Sequence, residues 1–260
     1  MSQESSYSVG TDCLISDKVI IEHGAIICDR VIIDGENIII QSLARIDAGS
    51  IVSGDLSIGT GAWVRAGSVV HESVPANAIV EGNPAQIVGY QASVHEGSLT
   101  QTKLVDIFSI NDDTRPLVVN LGVELCALYL MRKIKDSRGS LSVGEVPTEV
   151  PFFPQRYFIV YDVPSRELRG EHAHRECEQF LICLHGSCRV LLDNGKDRCE
   201  VILDRPDMGV YMPAMIWGTQ YRYSENAVLL VFASMAYNSD DYIRSYNEFV
   251  ALKNNHLLRH

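Results

Sequence analysis

Positive charge is scarce in this 260-residue chain: 22 Lys and Arg stand against 33 Asp and Glu, a formal net charge of −11. A protein that displaces counterions from a duplex needs a basic face, so no nucleic-acid partner is expected. An anionic small molecule stays open, provided local arginines hold it. Long apolar runs are lacking too. The longest strongly apolar stretch, AVLLVFASMAY (227–237), is too short to span a bilayer, so no membrane partner is expected. The N-terminal MSQESSYSVG has no basic stretch leading into an apolar one. No secretory leader is read there, and a cytoplasmic location is expected. Seven cysteines are present, an odd number, and none forms a CxxC pair. Reduced thiols are expected rather than a disulfide framework.

What the first third does have is a repeat of six. Ile15, Ile21, Ile27 and Ile33 are evenly spaced. After a slip of one residue, Ile40, Ile46, Val52, Ile58, Val64 and Val70 continue the spacing. Small or apolar residues often follow four positions later, at Val19, Ala25, Val31, Ala44, Ser50, Ala62 and Ser68. Six matches neither the period of a helix nor the alternation of a strand. It fits a solenoid with three flat faces per coil, the large aliphatics pointing inward and Gly and Asp turning the corners.

These repeats, closed by VPANAIVEGNPAQIVGYQ (74–91), resemble the left-handed parallel β-helix of hexapeptide-repeat acyltransferases. The resemblance implies a domain over 1–90 that trimerises through an apolar face. Family acyltransferases use a histidine base at that interface. Here only His23 and His71 are available, and no long loop interrupts the coils. A shortened solenoid that assembles without transferring acetyl groups is the preferred reading. Acetyl-CoA would be a cofactor only if this domain is active.

Residues 91–104 are polar, break the period and are read as a linker. The pattern over 105–260 is different: short apolar runs bounded by turn residues, as in 156–163, 178–186, 187–195, 199–204, 209–213 and 227–234. Asn194-Gly195 between two alternating runs marks a hairpin. The whole chain is therefore expected to be all-β, with an antiparallel sandwich or barrel in this second part.

One stretch in it bears on chemistry: RGEHAHRECEQ, 169–179. Residues two apart in a strand share a face, so His172 and His174 point the same way. With Glu178 and Gly186 they give H-x-H-x3-E-x7-G, close to the first metal motif of cupin barrels. The later P-x-G-x2-H phrase falls on Pro213 to Gly218, with Met215 in place of Gly and Gly218 in place of His. Two histidines and Glu178 would still suffice for a facial triad. Proton transfer is favoured over a metal, because imidazole serves as acid or base near neutral pH.

More of the chain points the same way. KDSRGSLSVGE (135–145), 156–190, DMGVYMPAMIWGTQYRYS (207–224) and DDYIRSYNEF (240–249) resemble the WxcM-like cupin sugar-nucleotide 3,4-ketoisomerases, which are sometimes fused to a hexapeptide-repeat N-acetyltransferase. The resemblance implies a cupin jelly-roll barrel over 105–260 acting on a dTDP-linked 4-keto-6-deoxyhexose. The product would be the 3-keto isomer, formed through an enediol with no cofactor and no metal. It places the acid–base pair on His172 and His174. Tyr161 is a third candidate catalytic group, or else a core tyrosine. Arg169 is expected to grip the diphosphate or the developing charge. Arg138 lies in the stretch resembling the family's substrate-lining first strand. Gln179, Tyr211 and Trp217 are candidate substrate contacts, with packing as the alternative for each. DYIRSYNEF is expected to close the barrel or a dimer contact.

Trimeric β-helices and dimeric cupins together imply a homo-oligomer, a hexamer with 32 symmetry if both contacts form. Three other readings remain at this point: a bifunctional isomerase and acetyl-CoA-dependent N-acetyltransferase, a non-catalytic sugar-nucleotide binder, and a metal-dependent dioxygenase.

Overall fold

The computed structural model describes residues 7–91, 94–95, 98–99, 103–105, 115–164 and 167–257. Half of the expected linker at 91–104 lies outside them. The chain divides into two compact units, residues 1–93 and 94–260. No helix among the described residues is long and apolar enough to cross a membrane.

The first unit is a solenoid of three parallel sheets. Ser8 pairs with Ile26 and Leu14 with Ile32, a step of eighteen residues. The step becomes nineteen where Ile20 meets Ile39 and Ile32 meets Ile51, so the slip in the repeat is absorbed at one corner between Ile33 and Ile38. The inward ladder is the one the period predicts: Ile27, Ile33, Ile40, Ile46, Val52, Ile58, Val64 and Val70 are all buried. Ile15 and Ile21, in the first coil, are only half-buried. Ser50 and Ser68 are buried hydroxyls with partners: Ser50 donates to the Arg65 carbonyl, and Ser68 accepts from the Gly82 amide. Glycine is not the sole corner residue. Gly49 and Gly67 turn with positive φ, and so do Asp12, Arg30 and Leu43. The phrase 74–91 closes this unit as an antiparallel hairpin, Ala78–Gly82 against Ala85–Tyr90.

The second unit is built from two six-stranded, mainly antiparallel sheets. One contains, in spatial order, Leu117–Asn120, Ala127–Leu130, Met208–Met212, Gln179–His185, Val228–Ala233 and Arg156–Tyr161. The other contains Lys103–Val105, Arg198–Leu203, Cys188–Asp193, Trp217–Tyr221, Arg169–His174 and Tyr242–Ile243. Alternate residues of both sheets turn inward and form one apolar core, including Leu128, Leu181, Val190, Val201, Val210 and Leu229. This is the cupin-like double sheet expected from the run of short strands.

The Asn-Gly hairpin forms as read, joining Cys188–Asp193 to Arg198–Leu203. The Asn194 side chain accepts from the amides of Lys196 and Asp197. A helix, Tyr246–Leu257, ends the described chain. Its Tyr246 hydroxyl donates to Asp193, tying it to the base of that hairpin.

Candidate active site

The strand Arg169–His174 does not run straight. Arg169, Gly170 and His172 pair with Gln220, Thr219 and Gly218, with a bulge between Gly170 and His172. Gly170 and Glu171 both have positive φ there. A Cβ on Gly170 would sit 2.5 Å from the Gly218 carbonyl oxygen, so a glycine is required for the two strands to approach this closely. Past the bulge the strand changes partner: Ala173 and His174 pair with Ile243 and Tyr242. That switch brings the segment just before Tyr242 to the histidines.

His172 Nδ1 donates to the Gly170 carbonyl at 2.9 Å. His174 Nδ1 donates to Asp241 Oδ2 at 2.7 Å. The two Nε2 atoms then face each other at 3.2 Å. Gln179 Nε2 donates to His174 Nε2 at 3.0 Å. The acceptors on the Nδ1 side, a carbonyl and a carboxylate, assign the tautomers: both rings carry their proton on Nδ1 when neutral. Each neutral Nε2 therefore carries a lone pair: that of His174 accepts from Gln179, and that of His172 is able to take a proton. The Tyr242 ring covers the pair, with centroids 4.8 Å from His172 and 4.4 Å from His174.

Burial opposes a positive charge on both rings. Burial pulls His172 down to about 4, helped by the neighbouring His174 and Arg244 and opposed by the Gly170 carbonyl. Burial also lowers His174, although Asp241 pulls the other way. For Asp241 itself, burial pushes upward, but amides and the imidazole together hold it below the usual carboxylate range. Its Oδ1 accepts from the Glu176 amide, and its Oδ2 also accepts from the Cys177 amide.

A cavity of about 140 Å³ opens beside His172. Arg169, Gly170, His172, Gly218 and Gln220 line it from one sheet. Phe158, Val160, Gln179, Leu181, Met212 and Val231 line it from the other. Of the residues expected at a site, the fold brings together His172, His174, Arg169 and Gln179.

Four expected residues are elsewhere. Tyr161 is 61% exposed: Phe158 and Val160 occupy the cavity face of its strand, and residue 161 has the opposite parity. Tyr211 likewise faces away from Met212, packing beside Phe152 and donating its hydroxyl to Glu178 at 2.8 Å. Trp217 is buried against Tyr246 and Phe249 of the C-terminal helix, because Gly218 and Gln220 hold the inward positions of its strand. Arg138 sits at the turn of the hairpin Arg132–Asp136/Gly139–Val143, with its side chain 88% exposed and paired to Asp136.

The facial triad read from H-x-H-x3-E does not assemble. Glu178 precedes inward-facing Gln179 and turns to Tyr211 instead. Among the described residues, the set of metal-capable groups in mutual reach is His174, Cys177 and Asp241, within 4.8 Å of one another. There the His174 proton and the Cys177 amide already fill Asp241 Oδ2. The place of the missing third histidine is also explained. A Cβ on Gly218 would meet Met212 Sδ at 2.6 Å, so a side chain on this wall would require the Met212 thioether to move aside. Met215, in the place of the phrase's glycine, adopts φ 58, the conformation glycine favours.

Sequence reasoning missed Asp241, Tyr242 and Gln220. Asp241 and Tyr242 lie within DDYIRSYNEF, a phrase noticed for its resemblance but not for chemistry. Nothing local marks Asp241 as the partner of a histidine 67 positions away.

Residues 124–254 match the family described as FdtA: WxcM-like, C-terminal. The TDP-4-oxo-6-deoxy-alpha-D-glucose-3,4-oxoisomerase of Aneurinibacillus thermoaerophilus is 43% identical over 118 residues, 45% of this chain and 85% of that protein. The crystal structure of a 3,4-ketoisomerase from Helicobacter canadensis is similar over 50% of this chain and 97% of its own, at 38% identity and a TM-score of 0.48. A 2,3,4,5-tetrahydropyridine-2,6-dicarboxylate N-acetyltransferase of Clostridium perfringens is 40% identical over 68 residues, 26% of this chain and 28% of that enzyme.

Proposed function

The chain belongs to the FdtA, WxcM-like C-terminal family, and from that premise we propose that it moves the carbonyl of a dTDP-4-keto-6-deoxyhexose from C4 to C3. The observation that carries this reading is the pair of Nε2 lone pairs of His172 and His174, 3.2 Å apart beside a cavity.

The isomerisation is a set of proton transfers. One proton leaves C3 and one arrives at C4; one leaves the C3 hydroxyl and one arrives at the C4 oxygen. The enediol lies between, and electrons only redistribute within the sugar. His172, which lines the cavity, takes the C3 proton on Nε2. Its low affinity for protons leaves it in the free-base form at neutral pH. His174, fixed by Asp241, exchanges that proton across the Nε2–Nε2 contact and so lets one pair serve both carbons. Arg169 and Gln220 are placed to stabilise charge on the sugar oxygens.

We assign the solenoid an assembly role. Leu14, Ile32, Ile51 and Val69 form an outward apolar row along one of its sheets, with Leu14 66% exposed. This supports a trimeric contact, and with a dimeric barrel the complete particle is a hexamer. A monomer by light scattering would sink the assembly.

The test of the activity is incubation with dTDP-4-keto-6-deoxyglucose in D2O, followed by proton NMR. Loss of the C3 proton signal and growth of a 3-keto product are expected, both impaired in His172→Asn and His174→Asn. No exchange at C3 would reject the isomerase. Turnover of acetyl-CoA with a dTDP-3-amino-3,6-dideoxyhexose would replace the assembly role by the bifunctional reading.

A further inference from the structure

On the Nδ1 side of His174, the imidazole, the Cys177 thiol and the Asp241 carboxylate place one donor atom each within 4.8 Å of one another. The three come from different segments: the end of the strand Arg169–His174, the residues that follow it, and the short 3-10 helix Ser239–Asp241. All three are buried. Arg175, Glu176, Ser239 and Asp240 beside them are exposed, so the cluster lies just beneath the surface. An imidazole nitrogen, a thiolate and a carboxylate oxygen are the donors that zinc takes, at about 2.0–2.3 Å each. A tetrahedral ion at those lengths sets its ligands roughly 3–4 Å apart, a spacing this cluster already approaches.

We propose that a thiophilic divalent cation, zinc in the first instance, binds His174 Nδ1, Cys177 Sγ and Asp241 Oδ2 and arrests the proton transfer assigned above without touching the sugar. The arrest, though not the binding, rests on the isomerase reading. The ion takes the place of the proton that joins His174 Nδ1 to Asp241 Oδ2. The neutral ring keeps its one proton, which moves from Nδ1 to Nε2. The Cys177 thiol, which donates to the Glu178 carbonyl at 3.5 Å, gives its proton to water and binds as the thiolate. Asp241 keeps the amides of Glu176 and Cys177. His174 Nε2 then faces His172 Nε2 as a donor, 3.2 Å away, and occupies the lone pair that takes the C3 proton. Gln179, which donates to the same His174 atom, has to turn its amide oxygen there instead. The pair no longer exchanges a proton between its two Nε2 atoms.

The test uses the full chain, stripped with chelator and then titrated with Zn2+ and, as a spectroscopic probe, with Cd2+. Binding should produce the ultraviolet band of a cadmium–thiolate bond and stop C3 proton exchange, and chelator should reverse both. Cys177→Ser keeps the backbone amide that serves Asp241 and removes the thiolate. Inhibition of each variant is read against its own metal-free rate. The metal concentration for half-inhibition should rise about 100-fold, the upper end of the cost of losing even a supporting group, and the band should vanish. Cys177→Ala supplies the same comparison if thermal melts show that the serine variant does not fold. A band and an inhibition that persist unchanged in both variants would overturn the site, because other thiols or imidazoles would then hold the ion. So would absence of binding in the wild type. Binding that depends on Cys177 but leaves C3 exchange unaffected would overturn the arrest. No C3 exchange in the metal-free protein would reject the isomerase reading and the arrest with it; the cadmium band and its dependence on Cys177 decide the site in either case.

Discussion

Asp241 and His174 are 67 positions apart in the chain and 2.7 Å apart in the fold. Their contact is made by a two-residue bridge, Ala173 and His174 against Ile243 and Tyr242, at the point where the histidine strand leaves its barrel partner. The carboxylate holds the proton of His174 on Nδ1 and so leaves on Nε2 a lone pair, which faces His172 and accepts from Gln179.

Replacing Asp241 by Asn should therefore damage chemistry more than binding. An amide turned toward Nδ1 donates and forces the other tautomer, placing a proton on Nε2 where a lone pair is needed. We expect kcat to fall about 100-fold, within the range for a misplaced general acid–base group, with KM changed little. Steady-state kinetics with C3 proton exchange measures both. A fall in KM-dependent terms alone would contradict the tautomer argument.

Acid should destabilise this protein through His172. Its folded pKa of about 4 lies below the ordinary 6.5, so between those values the unfolded chain binds a proton that the folded one refuses. Stability contributed by the neutral ring is fully present above 6.5 and is lost as pH falls toward 4, by at most about 3 kcal/mol. Urea unfolding at several pH values should show the decline, and His172→Asn should flatten it. Identical slopes for both proteins would refute the assignment.

Gly218→Ala tests the steric account of the absent third histidine. The new Cβ would press on Met212 Sδ, which is the end of a flexible side chain and also lines the cavity. The fold should survive with a loss of about 1–3 kcal/mol. The displaced thioether should narrow the sugar site, so KM should rise. Unchanged KM with unchanged stability would show the wall to be looser than described.

Tyr211→Phe separates packing from substrate contact. The variant loses the hydrogen bond to Glu178 on the side of the sheet away from the cavity. A stability loss of about 1 kcal/mol is expected, with kcat and KM within a factor of two. A tenfold rise in KM would return Tyr211 to the substrate site.

Several features were legible without coordinates. The inward ladder of the solenoid was read residue by residue, because a period of six leaves one set of large aliphatics to fill the axis. His172, His174, Arg169 and Gln179, which the fold brings together, lie within eleven consecutive residues; strand alternation relates the two histidines, while the bulge at Gly170 and the turn into the next strand bring in Arg169 and Gln179. Tyr161, Tyr211 and Trp217 were misplaced by the same alternation. Each sits one position from a true cavity residue: Val160, Met212 and Gly218. Only the parity of the strand separates the two sets. Apolar side chains occupy both parities of these strands, so hydrophobicity does not say which parity turns inward.

The sequence by itself determined that this chain is two β units and that one carries a paired-histidine strand, since both follow from local period and spacing. Only the tertiary structure decided which side chains complete the pair. Asp241, Tyr242 and Gln220 arrive from distant segments through a bulge at Gly170 and a change of pairing partner at Ala173. Those arrangements depend on close backbone approach and on long-range hydrogen bonds, which no local pattern encodes.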